Sequence, residues 1–143
     1  MNMEFRLRIA TWGELGTGAR AVRQAVFVDE QKVPPNLEWD DHDEDCVQLL
    51  ATDTSGNAIG TGRLLADGAI GRIAILEAHR GHGLGRAIME ALMIEARRRG
   101  FTETYLTAQT QARAFYEKLG FAVAGEEFLE AGIPHVTMKR RLD

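Results

Sequence analysis

One cysteine, Cys46, is all that the 143 residues contain, so the chain cannot close an internal disulfide, and a zinc site would lack its usual thiolate pairs. Basic charge is scarce as well. The 17 Lys and Arg face 21 Asp and Glu, giving a formal net charge of −4 and a pI near 5.6, which leaves nonspecific nucleic-acid binding without electrostatic support. The basic runs Arg97-Arg98-Arg99 and Lys139-Arg140-Arg141 are short, and the first falls in the last turn of an expected helix, where cations offset the dipole. No apolar run approaches the ~18 residues a membrane span needs. The opening residues, MNMEFRLRIA, carry charges where a signal peptide requires an unbroken apolar core. Linkers, repeats and low-complexity tracts are missing too. The expectation is one cytoplasmic domain over residues 1–143, long enough to bury a core, that binds neither nucleic acid nor membrane.

What the chain does have is pattern. Met3 to Ala10 alternates apolar and charged residues, as a half-buried strand does. Thr11-Trp12-Gly13-Glu14 has capping-box spacing, and Ala19, Val22 and Val26 fall at helical intervals, with a stop expected before Pro34-Pro35. Glu38 to Asp45 holds six acids in eight residues. An EF-hand register fails there, because no glycine stands at the sixth loop position from Asp41 and Thr52 occupies the place of the bidentate acid. The stretch reads as a solvated acidic loop, with some power to attract a cationic substrate. Strands are expected at Cys46–Thr52 and Ala58–Leu65 around the turn Asp53–Asn57, then at Ile70–Leu76 after Asp67-Gly68. Leu84, Ala87, Ile88, Ala91 and Leu92 mark an amphipathic helix that ends at Gly100. A strand over Phe101–Gln109, a helix over Thr110–Leu119 and strands at Phe121–Leu129 and His135–Leu142, around Ala131-Gly132, complete a βαβββαβαββ order. The strand–helix–strand step over 70–109 predicts a right-handed parallel crossover, and the hairpins predict antiparallel pairing elsewhere on a single sheet.

The chemistry gathers where the middle helix begins. Gly81, Gly83 and Gly85 alternate there, so the backbone can approach a ligand, and the first helical N–H groups lack intrahelical partners at the positive end of the dipole. Arg80, His82 and Arg86 sit where the dipole would prefer acids, which points to an anionic ligand, phosphate above all. A Walker A loop fails, because Gly85 is followed by Arg86-Ala87 instead of Lys-Ser/Thr. A Rossmann fingerprint falls one glycine short, at Arg86. The remaining spacing is Arg80-x-x-Gly83-x-Gly85.

That spacing, RGHGLG at 80–85, resembles the signature of the GNAT superfamily of N-acetyltransferases, and AQTQARAFYEKLGF at 108–121 resembles the family's later motif. VFVDEQKVP at 26–34 and FLEAGIPHVTM at 128–138 are similar to the ElaA/YjcF-like branch. The resemblance spans essentially the whole chain. It implies an α/β single-domain GNAT fold: a mixed, mostly antiparallel central sheet with a parallel crossover and flanking helices. It also implies acetyl transfer from acetyl-CoA to a primary amine, small molecule or peptide, by direct attack in a ternary complex. The backbone of Gly81, His82, Gly83, Leu84, Gly85 and Arg86 would hold the pyrophosphate, and Arg80 would add charge nearby. Ile73, Ala74 and Ile75 would pair with the pantetheine arm, an N–H near Ile75 would polarise the thioester carbonyl, and Gln109 would complete the cofactor set. A homodimer is left open, and no metal is called for.

Tyr116 is the expected catalytic residue, since a phenol stays protonated at neutral pH and can serve the leaving thiolate. On pattern alone a core tyrosine is the favoured reading, and the match to the later motif reverses that preference. The attacking amine needs a base, but the motif strand begins Ile70-Gly71-Arg72 where many relatives carry an acid. Glu30 and His135 are the candidates on the acceptor side, ahead of His42 and His79. The competing readings are a non-catalytic acyl-CoA-binding or sensing module of the same fold and, more distantly, a nucleotide-binding domain.

Overall fold

Alternation makes the first strand, β1 (Arg6–Ala10), and a threonine ends it: the Thr11 hydroxyl accepts from the Glu14 N–H at 3.3 Å and opens α1 (Trp12–Arg23). The structure, a computed structural model, describes residues 4–142, so Met3 lies outside the described residues. α1 buries Leu15, Ala19 and Val22 along one stripe and continues without a break into a π-helical turn, Gln24–Glu30. Pro35 then opens a one-turn helix, α2 (Pro35–Glu38), at the N1 position proline favours; the sequence reading had the proline pair only as a stop.

β2 (Val47–Thr52), β3 (Ala58–Leu64) and β4 (Ile70–Ile75) follow as antiparallel neighbours, giving a sheet ordered β1-β2-β3-β4. α3 (Leu84–Arg98) packs beneath it, with Ile88, Met89 and Leu92 fully buried, each contributing roughly 1.5–3 kcal/mol of burial. Its end is a Schellman motif: the Phe101 N–H donates to the Ala96 carbonyl at 3.1 Å and the Gly100 N–H to Arg97 at 3.0 Å, with Gly100 at φ +94°.

β5 (Glu103–Gln109) leads to α4 (Arg113–Lys118), then β6 (Ala122–Val123), β7 (Phe128–Glu130) and β8 (Ile133–Arg141). β8 pairs with β5 on one edge and with β6 and β7 on the other. The expected strand over Phe121–Leu129 is therefore two short strands. The mixed, mostly antiparallel architecture with a parallel crossover is as expected, but the single sheet is corrected to two, because the crossover contact between β4 and β5 is slight. Among the described residues a single parallel bridge, Ala69 to Tyr105, joins the two four-stranded sheets. Thr104 Oγ1 reinforces it by donating to the Gly68 carbonyl at 2.6 Å, and the Tyr105 hydroxyl donates to Asp67. Past that bridge β4 and β5 diverge, and the gap between them is a cleft. Among the described residues no helix is long and apolar enough to cross a membrane.

Candidate active site

Two lateral strand edges that no longer pair must leave space and unpaired backbone between them. Here the space is a cleft of about 580 Å³, reached by Ile73 from β4, Gln109 from β5, Tyr116 from α4, His135 from β8 and Arg80 from the turn before α3. Ala74 is buried and pairs with Thr61 of β3, and Ile75 pairs with Gly60, so β4 is bonded on its β3 side and ends its sheet on the other. The Ile75 carbonyl accepts from Arg80 Nε at 3.0 Å.

The glycine turn meets the requirements of an anion site. Gly83 is the N-cap of α3 in the left-handed conformation, φ +82°, which glycine adopts at no steric cost. A Cβ on Gly85 would lie 3.2 Å from both Ile75 Cδ1 and Phe115 Cζ, so the helix start is seated closely on its neighbours. No side chain caps α3 and its first turn holds no acid, which leaves the N-terminal donors of a fifteen-residue helix without an anionic partner of their own. His82 and Arg86 are exposed; Arg86 Nε bonds Glu90 at 2.8 Å. Arg80 is committed elsewhere in part, since its Nη1 and Nη2 bond Glu30 at 2.8 and 2.7 Å. That bidentate pairing holds the Glu30 carboxyl below its ordinary value, and Glu30 does not line the cleft. Neither His42 nor His79 lines it.

Tyr116 is held in place by the end of its own helix. A second Schellman motif has the Phe121 N–H donating to the Tyr116 carbonyl at 3.1 Å, with Gly120 at φ +91°. Phe121 meets the Tyr116 ring edge-on at 6.1 Å between centroids, and Phe115 does so at 5.0 Å. The hydroxyl has no protein hydrogen-bond partner among the described residues, and burial alone pushes its pKa up to about 12. A core tyrosine would have found an acceptor; this one keeps its proton and opens on the cleft.

His135 is buried and stacked on Phe128. Its Nδ1 lies 2.7 Å from the Ile133 carbonyl, which can only accept, so Nδ1 carries the proton and Nε2 of the neutral ring keeps its lone pair. Glu130 Oε2 stands 3.7 Å from Nε2. The β7–β8 hairpin brings these groups together through a two-residue turn, Ala131-Gly132, with φ +53° and +75°. On the opposite side Gln109 Nε2 bonds Gln31 Oε1 at 2.7 Å and Gln109 accepts from Gln111, a chain of amides that ties β5 to the end of the π-helical turn.

The acidic stretch is corrected by the structure. Glu38 and Asp43 are buried, not solvated. Arg23, itself 1% exposed, bonds Glu38 Oε2 and Asp43 Oδ1 at 2.7 Å each. Arg63 bonds both oxygens of Asp40 at 2.8 Å and Asp43 at 2.9 Å, holding the Asp40 carboxyl far below the carboxylate range. Burial pushes the Glu38 carboxyl upward against the pull of Arg72 and Arg23. Only Asp41, Glu44 and Asp45 remain exposed. The network braces the segment whose Leu37 and Glu38 wall the cleft, a role that the run of acids alone could not reveal because its arginines lie 15 to 34 residues away.

The chain's likenesses agree with this geometry. A family model described as an acetyltransferase (GNAT) domain matches residues 19–142. The uncharacterized N-acetyltransferase YjcF of Bacillus subtilis is 42% identical over 123 residues, covering 83% of this chain and 87% of that protein. The crystal structure of Escherichia coli ElaA superposes with a TM-score of 0.85 at 27% identity, over 96% of this chain and 99% of ElaA. An acyl-CoA N-acyltransferase from Pseudomonas aeruginosa superposes with a TM-score of 0.81 at 34% identity, over 97% and 99% of the two chains.

Proposed function

The chain belongs to the GNAT acetyltransferase family, and from that premise we propose that it moves an acetyl group from acetyl-CoA to a primary amine of a small molecule or peptide, by direct attack while both are bound. The observation that carries the reading is the pairing, in one cleft, of a phenol without a protein partner and a histidine whose Nε2 is free to accept a proton. The uncapped, acid-free start of α3 suits a pyrophosphate, and the outer edge of β4 at Ile73 to Ile75 suits the amides of a pantetheine arm.

An amine of pKa near 10.4 is neutral in only about one molecule in several thousand at pH 7, so a base is needed. His135 Nε2 takes that proton in this reading, and the nearby Glu130 carboxylate steadies the imidazolium. Glu30 is passed over because both its oxygens are held by Arg80. The amine lone pair then forms the C–N bond at the thioester carbonyl, with a backbone N–H near Ile75 serving the oxygen as charge develops. As the C–S bond breaks, the Tyr116 hydroxyl donates to the departing sulfur, and the proton that the nitrogen sheds on becoming an amide restores the phenol. A phenol at about 12 surrenders its proton to an ordinary thiolate only uphill, but the burial that raises the phenol raises a thiol bound beside it as well.

Thiol release from acetyl-CoA, followed across a panel of primary amines, tests this. Release that depends on the acceptor is expected. Release without any acceptor, or none with all of them, would instead favour an acyl-CoA-binding module of the same fold.

A further inference from the structure

Three arginines and three carboxylates make up the buried network, but they do not share it equally. Arg23 and Arg63 take the short bonds, from 2.7 to 2.9 Å, and their side chains are 1% and 5% exposed. Arg72 receives what is left. Its Nη2 lies 3.1 Å from the Glu38 carbonyl and 3.4 Å from both the Leu37 carbonyl and Asp40 Oδ2. Its Nε is 3.2 Å from Glu38 Oε2 yet buried without a hydrogen bond, and Nη1 has no partner among the described residues. This is the least satisfied cation of the network, and it lines the cleft with 25% of its side chain exposed.

The backbone aims it there. Between the pairs Thr61–Ala74 and Arg63–Gly71 the β3–β4 register slips, with β4 holding the extra residue, and Arg72 sits in that bulge at φ +51°. A bulge redirects a side chain that strand alternation would have sent elsewhere, and a bulky residue holds a left-handed conformation only where its surroundings enforce it. The other arginine in the cleft, Arg80, is already paired with Glu30. Every nitrogen of Arg80 is thus engaged, and Arg72 Nη1 is the guanidinium nitrogen left without a partner among the described residues in the cleft, which the Glu130 carboxylate and the His135 base also line.

We infer that Arg72 anchors a carboxylate on the acceptor, which makes the acceptor an amine and an acid in one molecule, of amino-acid type. The inference rests on the transferase reading for the role of the amine. A guanidinium donates to a carboxylate through charge-assisted bonds of defined direction, and a simple amine would leave the Nη1 donor unused.

The test compares acceptors that differ only at the acid: an amino acid, its amide and the decarboxylated amine, with rates corrected for the neutral amine fraction. For the unaltered protein the carboxylated acceptor should have a KM lower by about tenfold or more, with a smaller effect on kcat. R72Q should bring the three to within about threefold of one another, and R72K should restore part of the preference. Equal KM values in the unaltered protein, or an equal rise for all three acceptors in R72Q, would overturn the assignment. Calorimetric titration of the amino acid into protein saturated with coenzyme A gives a second reading that needs no turnover. Should no amine release thiol, the transferase reading fails; carboxylate binding lost in R72Q would then still support the anchor, and no binding by the unaltered protein would refute it.

Discussion

Replacing Tyr116 with phenylalanine separates a catalytic hydroxyl from a structural one more sharply than any other change in this chain. The ring makes the contacts: edge-on packing with Phe115 and Phe121, and a carbonyl fixed by the Phe121 N–H. Phenylalanine keeps all of these. The hydroxyl bonds no protein group among the described residues, so deleting it removes no such hydrogen bond and relieves a polar group of its desolvation. Stability should therefore hold within about 0.5 kcal/mol, which for a chain of this size is a shift in Tm of about 2 °C or less. Turnover should behave differently. General-acid assistance is worth ~10²–10⁴ in rate, about 2.7–5.4 kcal/mol of barrier, and the loss should fall on kcat more than on the KM for acetyl-CoA. Thiol release under saturating amine, beside a thermal melt of each protein, supplies both numbers. Turnover within threefold of the unaltered protein would refute the role given to Tyr116. A fall in Tm of 6 °C or more would refute the claim that its hydroxyl is unpartnered.

Other predictions follow from the network and the glycine turn. Arg23→Met strips two buried carboxylates, Glu38 and Asp43, of their shortest bonds, and should cost about 3–5 kcal/mol in urea unfolding; a loss under 1 kcal/mol would contradict the burial described. Gly83→Ala meets no atom within 4 Å, so its cost is the left-handed backbone alone, about 1–2 kcal/mol, and it should also raise the KM for acetyl-CoA. Glu95 is bonded by Arg98 and Arg99, which hold its carboxyl at about 2. Since the folded value lies below the unfolded one, its contribution is complete above about pH 4.5 and disappears as pH falls toward 2. The gap between the unaltered protein and Glu95→Gln should be at most about 1 kcal/mol at neutral pH, because both arginines reach solvent, and should close across that window in acid-unfolding measurements.

Local signals were legible in the sequence wherever one element carried its own instructions. The Thr11 cap, the apolar stripe of α3, the glycine stops at Gly100 and Gly120 and the Ala131-Gly132 turn all stand where the pattern put them. The turn proposed for the pyrophosphate could be read for the same reason, being one turn followed by one helix. The cleft wall that carries Leu37 and Glu38 could not. It depends on arginines from three different elements, Arg23, Arg63 and Arg72, meeting Glu38, Asp40 and Asp43, and a run of acids looks the same whether solvent or arginine faces it. Arg72 in particular looked like a departure from the usual acid, and its bulged backbone is visible only once β3 and β4 are paired. The division of the sheet after a single parallel bridge was likewise beyond any local pattern.

The core and the wall of the cleft are fastened by different forces, and heat acts on those forces unequally. α3 and the strands above it hold through apolar packing, whose strength per unit area levels off as temperature rises. The segment carrying Leu37 and Glu38 is tethered by buried ion pairs, whose desolvation penalty shrinks on warming. Warming therefore shifts the balance toward that tether, and the cleft-facing segment keeps its shape close to the temperature at which the core itself gives way.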